Sequence, residues 1–362
     1  MEARASVDPR RVPVRSIGKY ILDTFREGVQ IVGMRAKSDQ IPETLTGAIR
    51  HFSDAETCHE FLTEMRWPEG VSCPRCGSQE ISALMLPRRI WNCRGCKKQF
   101  SVKVGTIFED SPLGLEKWLP ATWLIVNAKN GISSCELARS LGVTQKTAWF
   151  MLHRIRLAMQ SGSIEKMNGT CEADETYIGA KARYMHKHRR TGVGDAGVKK
   201  TAVQGILERA KDGKASRVVL KVVPNTRRPE LCGNVREYVV PGSTVCTDAL
   251  MSYDNLATDY DRQVIDHMVS YVRGNVHTNG LENFWSLLKR GLKGTYVNVE
   301  PFHLFRYLDE QAFRFNARKL TDKMRFLATV AKFAGKRLTY AKLIDLDGGD
   351  SLPLPPATAG AW

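Results

Sequence analysis

Two pairs of cysteines constrain this chain more than any other feature. Cys73 and Cys76 form one Cys-x2-Cys pair, and Cys93 and Cys96 form a second after sixteen intervening residues. Each pair makes a tight turn that presents two sulfurs to one ion, and four thiolates complete the tetrahedron that Zn2+ prefers. Unrelated thiols or a redox pair would not require this spacing. The sequence therefore predicts a zinc ribbon, and four filled positions indicate a structural ion.

Length and charge set the broad class. The chain has 362 residues, which suggests two or three domains, and 43% of them are hydrophobic, as in a globular protein. The net charge of +16 favours an anionic partner, with nucleic acid first and an anionic membrane surface second. The start of the chain lacks an apolar core, so no secretory signal is expected. The most apolar stretch, residues 118–128, is shorter than the ~20 residues that cross a bilayer, so no membrane segment is expected either.

A helix, a glycine turn and a second helix are predicted within residues 112–160. Ser133 or Ser134 can cap the first helix, Gly142 supplies the turn, and Thr144 can cap the second helix. This order is typical of DNA-binding proteins, in which the second helix enters the major groove. A three-helix bundle that makes protein contacts is the alternative. The candidate DNA contacts on the second helix are Gln145, Lys146, Thr147 and Arg154.

The pattern changes to strands from about residue 170. Strands are predicted at 170–178, 202–207, 216–223, 244–246 and 263–266, and a helix at 228–239. A basic segment at 181–200 separates the first two strands and contains Arg189 and Arg190. It is interpreted as a loop that tracks phosphates, although such runs are usually only solvated.

Three carboxylates stand at informative places in this pattern. Asp174 lies in the first strand, Asp248 ends a later short strand, and Glu282 lies in the first turn of a predicted amphipathic helix. Lys289 follows Glu282 two turns later on the same face, where it can contact a DNA phosphate. Such carboxylates can hold a pair of Mg2+ ions for in-line attack on phosphate. Any one of them alone could be a solvated acid or a surface ion pair.

These motifs together give the sequence a family resemblance. It resembles bacterial insertion-sequence DDE transposases of the zinc-ribbon type, related to the Merlin superfamily and carrying an ISXO2-like transposase domain. The resemblance runs from about residue 50 to 320. It rests on the four cysteines, EADETYIG at 172–179, the Asp248 step followed by Tyr253, HTNGLENFWSLLKRGLKGTY at 277–296, and the aromatic stretch at 302–318.

The resemblance implies specific chemistry. The expected fold is α/β, an RNase H-like catalytic domain with a mixed sheet and flanking helices, preceded by a zinc ribbon and a helix-turn-helix bundle. The expected activity is Mg2+-dependent (or Mn2+-dependent) cleavage of 3′ ends at terminal inverted repeats and their transfer into target DNA. Asp174 and Asp248 become the first two magnesium ligands. The third is Glu282, because a carboxylate suits a hard cation, with Asn279 as the alternative. Lys289 and Arg290 are further DNA contacts.

The predicted organisation has six parts. They are a basic, partly flexible segment (1–45), a zinc ribbon with a helical lead-in (46–105), the helix-turn-helix region (112–160), the catalytic domain (168–320), a C-terminal helix (321–345) and a disordered tail (346–362).

Two rival functions remain at this stage. One is a DNA-binding regulator without catalysis, and the other is an RNase H-fold nuclease without strand transfer. The leading hypothesis is a transposase that acts on double-stranded DNA as a homo-oligomer on paired ends, in the bacterial cytoplasm and associated with the nucleoid.

Overall fold

The computed structural model describes residues 41–160, 165–179, 200–211, 213–265 and 277–345. Most of the predicted N-terminal segment, nearly all of the basic segment at 181–200 and the predicted C-terminal tail therefore lie outside the described residues. The chain divides into two compact units. One comprises residues up to 159 together with 320–344, and the other is built on residues 160–319.

The first unit contains helices and a small two-stranded sheet. Its elements are α1 (Leu45–His51), α2 (Ala55–Arg66), β1 (Ile90–Asn92), β2 (Gln99–Ser101), α3 (Leu115–Asn127), α4 (Ser134–Leu141) and α5 (Gln145–Met159). Strands β1 and β2 pair antiparallel, with Trp91 opposite Phe100. Near the C-terminal end of the described chain, α9 (Asp322–Val330) and α10 (Tyr340–Leu343) also belong to this unit.

The region predicted as one C-terminal helix, 321–345, contains two helices instead. Residues between them bond to a turn that is distant in sequence: the Gly335 N–H donates to the Gly105 carbonyl at 2.8 Å. Gly335 also has a φ of +75°, which a helix does not allow. These non-local contacts interrupt the helix.

The second unit is a mixed α/β structure around a five-stranded sheet with the order β5-β4-β3-β6-β7. Its strands are β3 (Thr170–Ile178), β4 (Thr201–Glu208), β5 (Arg217–Val223), β6 (Thr244–Asp248) and β7 (Asp261–Ile265). Strands β3, β4 and β5 pair antiparallel, whereas β6 and β7 run parallel to β3. The predicted mixed sheet is confirmed, and the first strand has the bounds that the sequence predicts.

Helices cover both faces of this sheet. Its helical elements are α6 (Arg228–Tyr238), a 3-10 helix (Met251–Thr258), α7 (Asn279–Gly291), a π-helical turn (Leu292–Tyr296), a short 3-10 turn (Pro301–His303) and α8 (Leu304–Asn316). Alternate residues of β4 face opposite ways, as a strand requires. Ile206 packs with α6 and the longer 3-10 helix, whereas Val203 and Leu207 pack with α7 and α8.

No helix in the described part of the chain has the length and apolar character needed to span a bilayer.

Candidate functional site

An acidic cluster lies where β3 and β6 run side by side. The two strands are parallel, and Ala173 pairs with Thr247, so the next residue on each strand is an aspartate. Oxygens of Asp174, Glu175 and Asp248 all lie within 4.8 Å of one another. The structure thus brings together two carboxylates that are 74 positions apart in sequence (248 − 174), as the strand pattern predicts.

Glu175 is a member of this cluster that the sequence argument does not select. Alternation along β3 places its side chain on the face opposite Asp174, so the strand pattern alone does not group these two residues. In the structure, the buried Tyr253 hydroxyl donates a hydrogen bond to Glu175 Oε1. Gln204 Nε2 donates in turn to the Tyr253 oxygen at 3.2 Å. This contact holds Glu175 near the aspartates, and the only sequence signal for it is the nearness of Tyr253 to Asp248.

The cluster carries closely spaced negative charge in a poorly solvated place. Burial raises the pKa of Glu175 to about 8, and the charges of Asp174 and Asp248 add to the rise. Burial also raises the pKa of Asp174, while its hydrogen bond from Trp285 opposes that change. Carboxylates in this state release their protons more readily when a cation is bound beside them.

Glu282 lies near this cluster but outside its tight group. It is exposed in the first turn of α7, and its charge contributes to the raised pKa of Asp174. The Thr278 hydroxyl donates to Glu282 Oε1 at 3.4 Å. Asn279, the alternative third ligand, is the first residue of the same helix. The choice of Glu282 over Asn279 as the third metal ligand therefore remains a prediction.

The exposed face of α7 carries the predicted basic residues. Lys289 and Arg290 are exposed in its last turn, and Lys289 shares a face with Glu282. Their predicted contact with DNA remains a prediction.

The carboxylates match the ligands of a hard divalent cation. Two oxygens bound to one Mg2+ at about 2.1 Å lie ~3 to ~4.2 Å apart in an octahedron. The cluster, with its oxygens within 4.8 Å, is close to this size. Asp174, Glu175 and Asp248 are therefore the described residues that could hold such a cation, and Glu282 lies near enough for its charge to act on Asp174.

The four cysteines meet as their spacing predicts. Cys73 Sγ lies 3.7 Å from Cys96 Sγ, and Cys76 Sγ lies 3.5 Å from Cys93 Sγ. Four sulfurs around Zn2+ at about 2.3 Å are ~3.8 Å apart, so the set fits that ion. The Cys96 backbone N–H donates to Cys93 Sγ and lowers the pKa of Cys93, which favours its thiolate.

The predicted helix pair is α4 and α5, joined by a turn. Ser133 caps α4 by accepting from the Glu136 N–H at 3.1 Å, and Gly142 ends that helix with a φ of +64°. Gln145 and Lys146 are exposed at the start of α5, and Thr147 is half-buried. Their predicted contact with DNA remains a prediction.

Arg154 requires a correction. It was predicted to contact DNA, but it is only 4% exposed and its guanidinium is already occupied. Its Nε donates to the Leu338 carbonyl at 3.0 Å, and its Nη1 donates to the carbonyls of Ile107 and Glu109. A side chain so enclosed cannot reach a phosphate, so Arg154 is a structural residue. Sequence spacing missed this because Leu338 lies 184 residues away.

The other two predicted DNA contacts, Arg189 and Arg190, lie outside the described residues.

Two family models match the chain. Residues 166–316 match an ISXO2-like transposase domain. Residues 53–99 match a transposase zinc-ribbon domain, which includes all four cysteines. The first match therefore covers the unit with the acidic cluster, and the second covers the predicted zinc site.

Two curated proteins are also similar. A protein in the transposable element ISH50 of Halobacterium salinarum is 27% identical over 259 residues, which cover 67% of this chain and 85% of that protein. An uncharacterized transposase-like protein of Haemophilus influenzae is 32% identical over 117 residues, 32% of this chain and 94% of that protein.

Proposed function

Because this chain belongs to the ISXO2-like transposase family, we propose that it is a DNA transposase that cleaves and joins the ends of its own insertion sequence. The observation that carries the proposal is the meeting of Asp174, in the middle of β3, with Asp248, at the end of the neighbouring β6. Glu282 on α7 is close enough for its charge to act on Asp174. The sequence arranges these groups in an order that two-metal phosphoryl-transfer sites use. The unit that holds them is proposed to have the RNase H-like fold.

The metal proposed for this site is Mg2+, with Mn2+ as a substitute. When bound, it would activate water or a 3′-hydroxyl and stabilise the oxygen that leaves. Asp174 and Asp248 would hold it, and Glu282 would be the third ligand, with Asn279 as the alternative. Lys289, exposed on the same face of α7 as Glu282, would bind a phosphate of the scissile strand.

Recognition of the element's terminal inverted repeats is assigned to the first unit. Its helix pair is proposed to act as a helix-turn-helix, with Gln145, Lys146 and Thr147 at the leading end of α5 contacting the major groove. The zinc ribbon would bind Zn2+ structurally and add a second DNA-binding element. Arg189, Arg190 and Arg290 would contact phosphates.

Two further properties complete the proposal. Transposition joins two ends of one element, so we propose a homo-oligomer on paired ends. We also propose that it acts in the bacterial cytoplasm, associated with the nucleoid. The chain has 54 basic and 38 acidic residues, and this net positive charge suits a protein that binds DNA.

A two-plasmid mobility assay tests the proposed function. A marker flanked by the gene's own borders is supplied with the intact protein, with D248N, or with D261N. Asp261 is a matched control because it starts β7, at the end of the parallel strands away from Asp248. We expect transfer with the intact protein and with D261N, and a loss of at least a hundredfold with D248N.

The other outcomes point elsewhere. Equal transfer with D248N and the intact protein would overturn a carboxylate-dependent mechanism. A folded, zinc-loaded protein that binds the borders without cutting them would be a regulator. Cutting without joining would indicate a nuclease.

A further inference from the structure

The indole of Trp285 joins the helix of the proposed site to its central strand. Trp285 Nε1 donates a hydrogen bond to Asp174 Oδ2 at 2.9 Å, and the side chain is only 5% exposed. We propose that Trp285 is a positioning residue for the metal site, which fixes the carboxylate of Asp174 so that it faces Asp248. This inference rests on the proposed function, because it assigns a role in the same site.

The hydrogen bonds of Asp174 leave room for a cation. Oδ2 accepts from Trp285, and Oδ1 accepts from the backbone N–H of Glu175 at 2.8 Å. Each carboxylate oxygen has about two acceptor directions, so each keeps one for a metal ion. Two donors on opposite oxygens also fix the plane of the carboxylate, which a single donor would not do.

The sheet is shaped to admit the indole. Gly205 on β4 pairs with Asp174 on β3, and Trp285 lies over this pair. A Cβ atom at position 205 would lie 2.7 Å from two indole ring atoms and 2.9 Å from Leu281. Any side chain there would push α7 away from the strand, and the bond to Asp174 would lengthen.

A second hydrogen bond fixes α7 one turn earlier. The Leu281 N–H donates to Glu172 Oε2 at 2.8 Å, and Glu172 is only 1% exposed. Glu172 precedes Asp174 by two residues, and Leu281 precedes Trp285 by four. Two strand residues span about 6.7 Å and four helical residues span about 6.0 Å, so the two bonds run side by side. Together they set the register of the helix on the strand.

The anchor at Glu172 is itself held in place. Arg209 Nε donates to Glu172 Oε1 at 2.8 Å. A Cβ at position 280 would lie 2.8 Å from Glu172 Oε2, so Gly280 allows the close approach. The start of α7, which carries Glu282, is thereby tied to the strand that carries Asp174.

Two roles of the indole can be separated. A tryptophan that only fills the core and satisfies its own N–H would, when changed, lower thermal stability and leave metal affinity unchanged. A positioning residue would change metal affinity, because donors to ligating carboxylates typically contribute 10–100-fold to affinity or activity.

The test uses the full-length protein with Mn2+ as the probe. W285F removes the N–H and keeps an aromatic ring. We expect Mn2+ binding, followed by the resonance of free Mn2+, to weaken about tenfold or more. Cleavage of an element end should require correspondingly more Mg2+ and recover at saturating Mg2+. L308V is the control, because Leu308 is buried in the same core cluster but lies on α8 and not on the helix that carries the indole. It should lose stability and keep the Mn2+ affinity.

Further variants separate this inference from the proposed function. D174N should lose both Mn2+ binding and cleavage. If D174N still cleaves, the proposed function is overturned. If D174N loses both while W285F binds Mn2+ as the intact protein does, only the role of Trp285 is overturned.

A spectroscopic measurement covers the case in which W285F does not fold. The chain has seven tryptophans, whose indole N–H resonances can be observed after 15N-tryptophan labelling. One of them should shift in D174N. A spectrum in which no indole resonance differs between D174N and the intact protein would contradict the contact.

Discussion

Glu175 illustrates what a single residue contributes at this site. Its pKa is raised from 4.5 to about 8, mainly by burial. In the unfolded chain the carboxyl loses its proton near pH 4.5, whereas in the folded, metal-free protein it keeps the proton until about pH 8. The folded state therefore binds more protons across this window, so the free energy of unfolding falls as pH rises from about 4.5 to 8.

E175Q should remove this part of the pH dependence. In metal-free protein, we expect the free energy of unfolding of the intact chain to fall between pH 5 and 8.5. In E175Q this fall should be smaller, by an amount on the order of a few kcal/mol. Urea unfolding at pH 5, 6.5 and 8.5 measures the difference. E237Q is the control. The hydrogen bond from Lys221 lowers the pKa of Glu237, so Glu237 changes the pH dependence of stability only below about pH 4.5. An E175Q profile parallel to that of the intact protein would contradict the raised pKa.

Among helices and strands, the contact between α7 and β4 depends on the absence of a side chain. G205A would place a Cβ 2.7 Å from the Trp285 ring. We expect it to destabilise the protein by about 1–3 kcal/mol through overpacking. G233A is the matched control, because Gly233 is exposed in α6 with no atom within 4 Å of an added Cβ. It should stabilise by about 0.5–1 kcal/mol, since alanine is the better helix former.

Thermal unfolding of the two alanine variants would separate these effects. If the midpoint of thermal unfolding shifted in the same direction in G205A and G233A, the Trp285 ring would not limit the space at position 205.

The sequence predicts elements well where the pattern is local. Strand β3 has the predicted bounds, and α6 ends one residue before its predicted end, because apolar alternation and helix caps are short-range signals. The prediction of one C-terminal helix was wrong, because the hydrogen bond from Gly335 to Gly105 joins residues that are far apart in sequence. For a similar reason the sequence missed Glu175 and wrongly predicted a DNA contact for Arg154. Their partners, Tyr253 and Leu338 respectively, are remote in sequence.

At the scale of the whole molecule, the first unit is completed by residues from the far end of the chain. Phe326 is fully buried and lies 5.5 Å from the Phe52 ring and 5.2 Å from the Trp123 ring. Phe333 lies 4.9 Å from the Phe108 ring. These phenylalanines belong to the core of the ribbon-containing unit, although the entire five-stranded sheet stands between them and α5 in sequence.

A chain that ends after Lys319 should therefore lose the stability of the first unit. Removing a buried phenylalanine side chain costs about 3–5 kcal/mol, and two such losses approach the total stability of a typical domain. Limited proteolysis should cut residues 41–159 of this truncated protein rapidly. A chain that ends after Asp345 keeps both phenylalanines and should resist as the intact protein does. Equal resistance in the two would show that the returning segment is dispensable.

The returning segment also fixes the order in which the protein can mature on the ribosome. Domains are generally finished from the N-terminus onward during synthesis. Here all five strands of the sheet have been translated before Phe326 and Phe333 emerge, so the ribbon-containing unit, although it starts first, is finished last. A message broken before codon 326 therefore yields no complete ribbon-containing unit that could compete with the full-length protein.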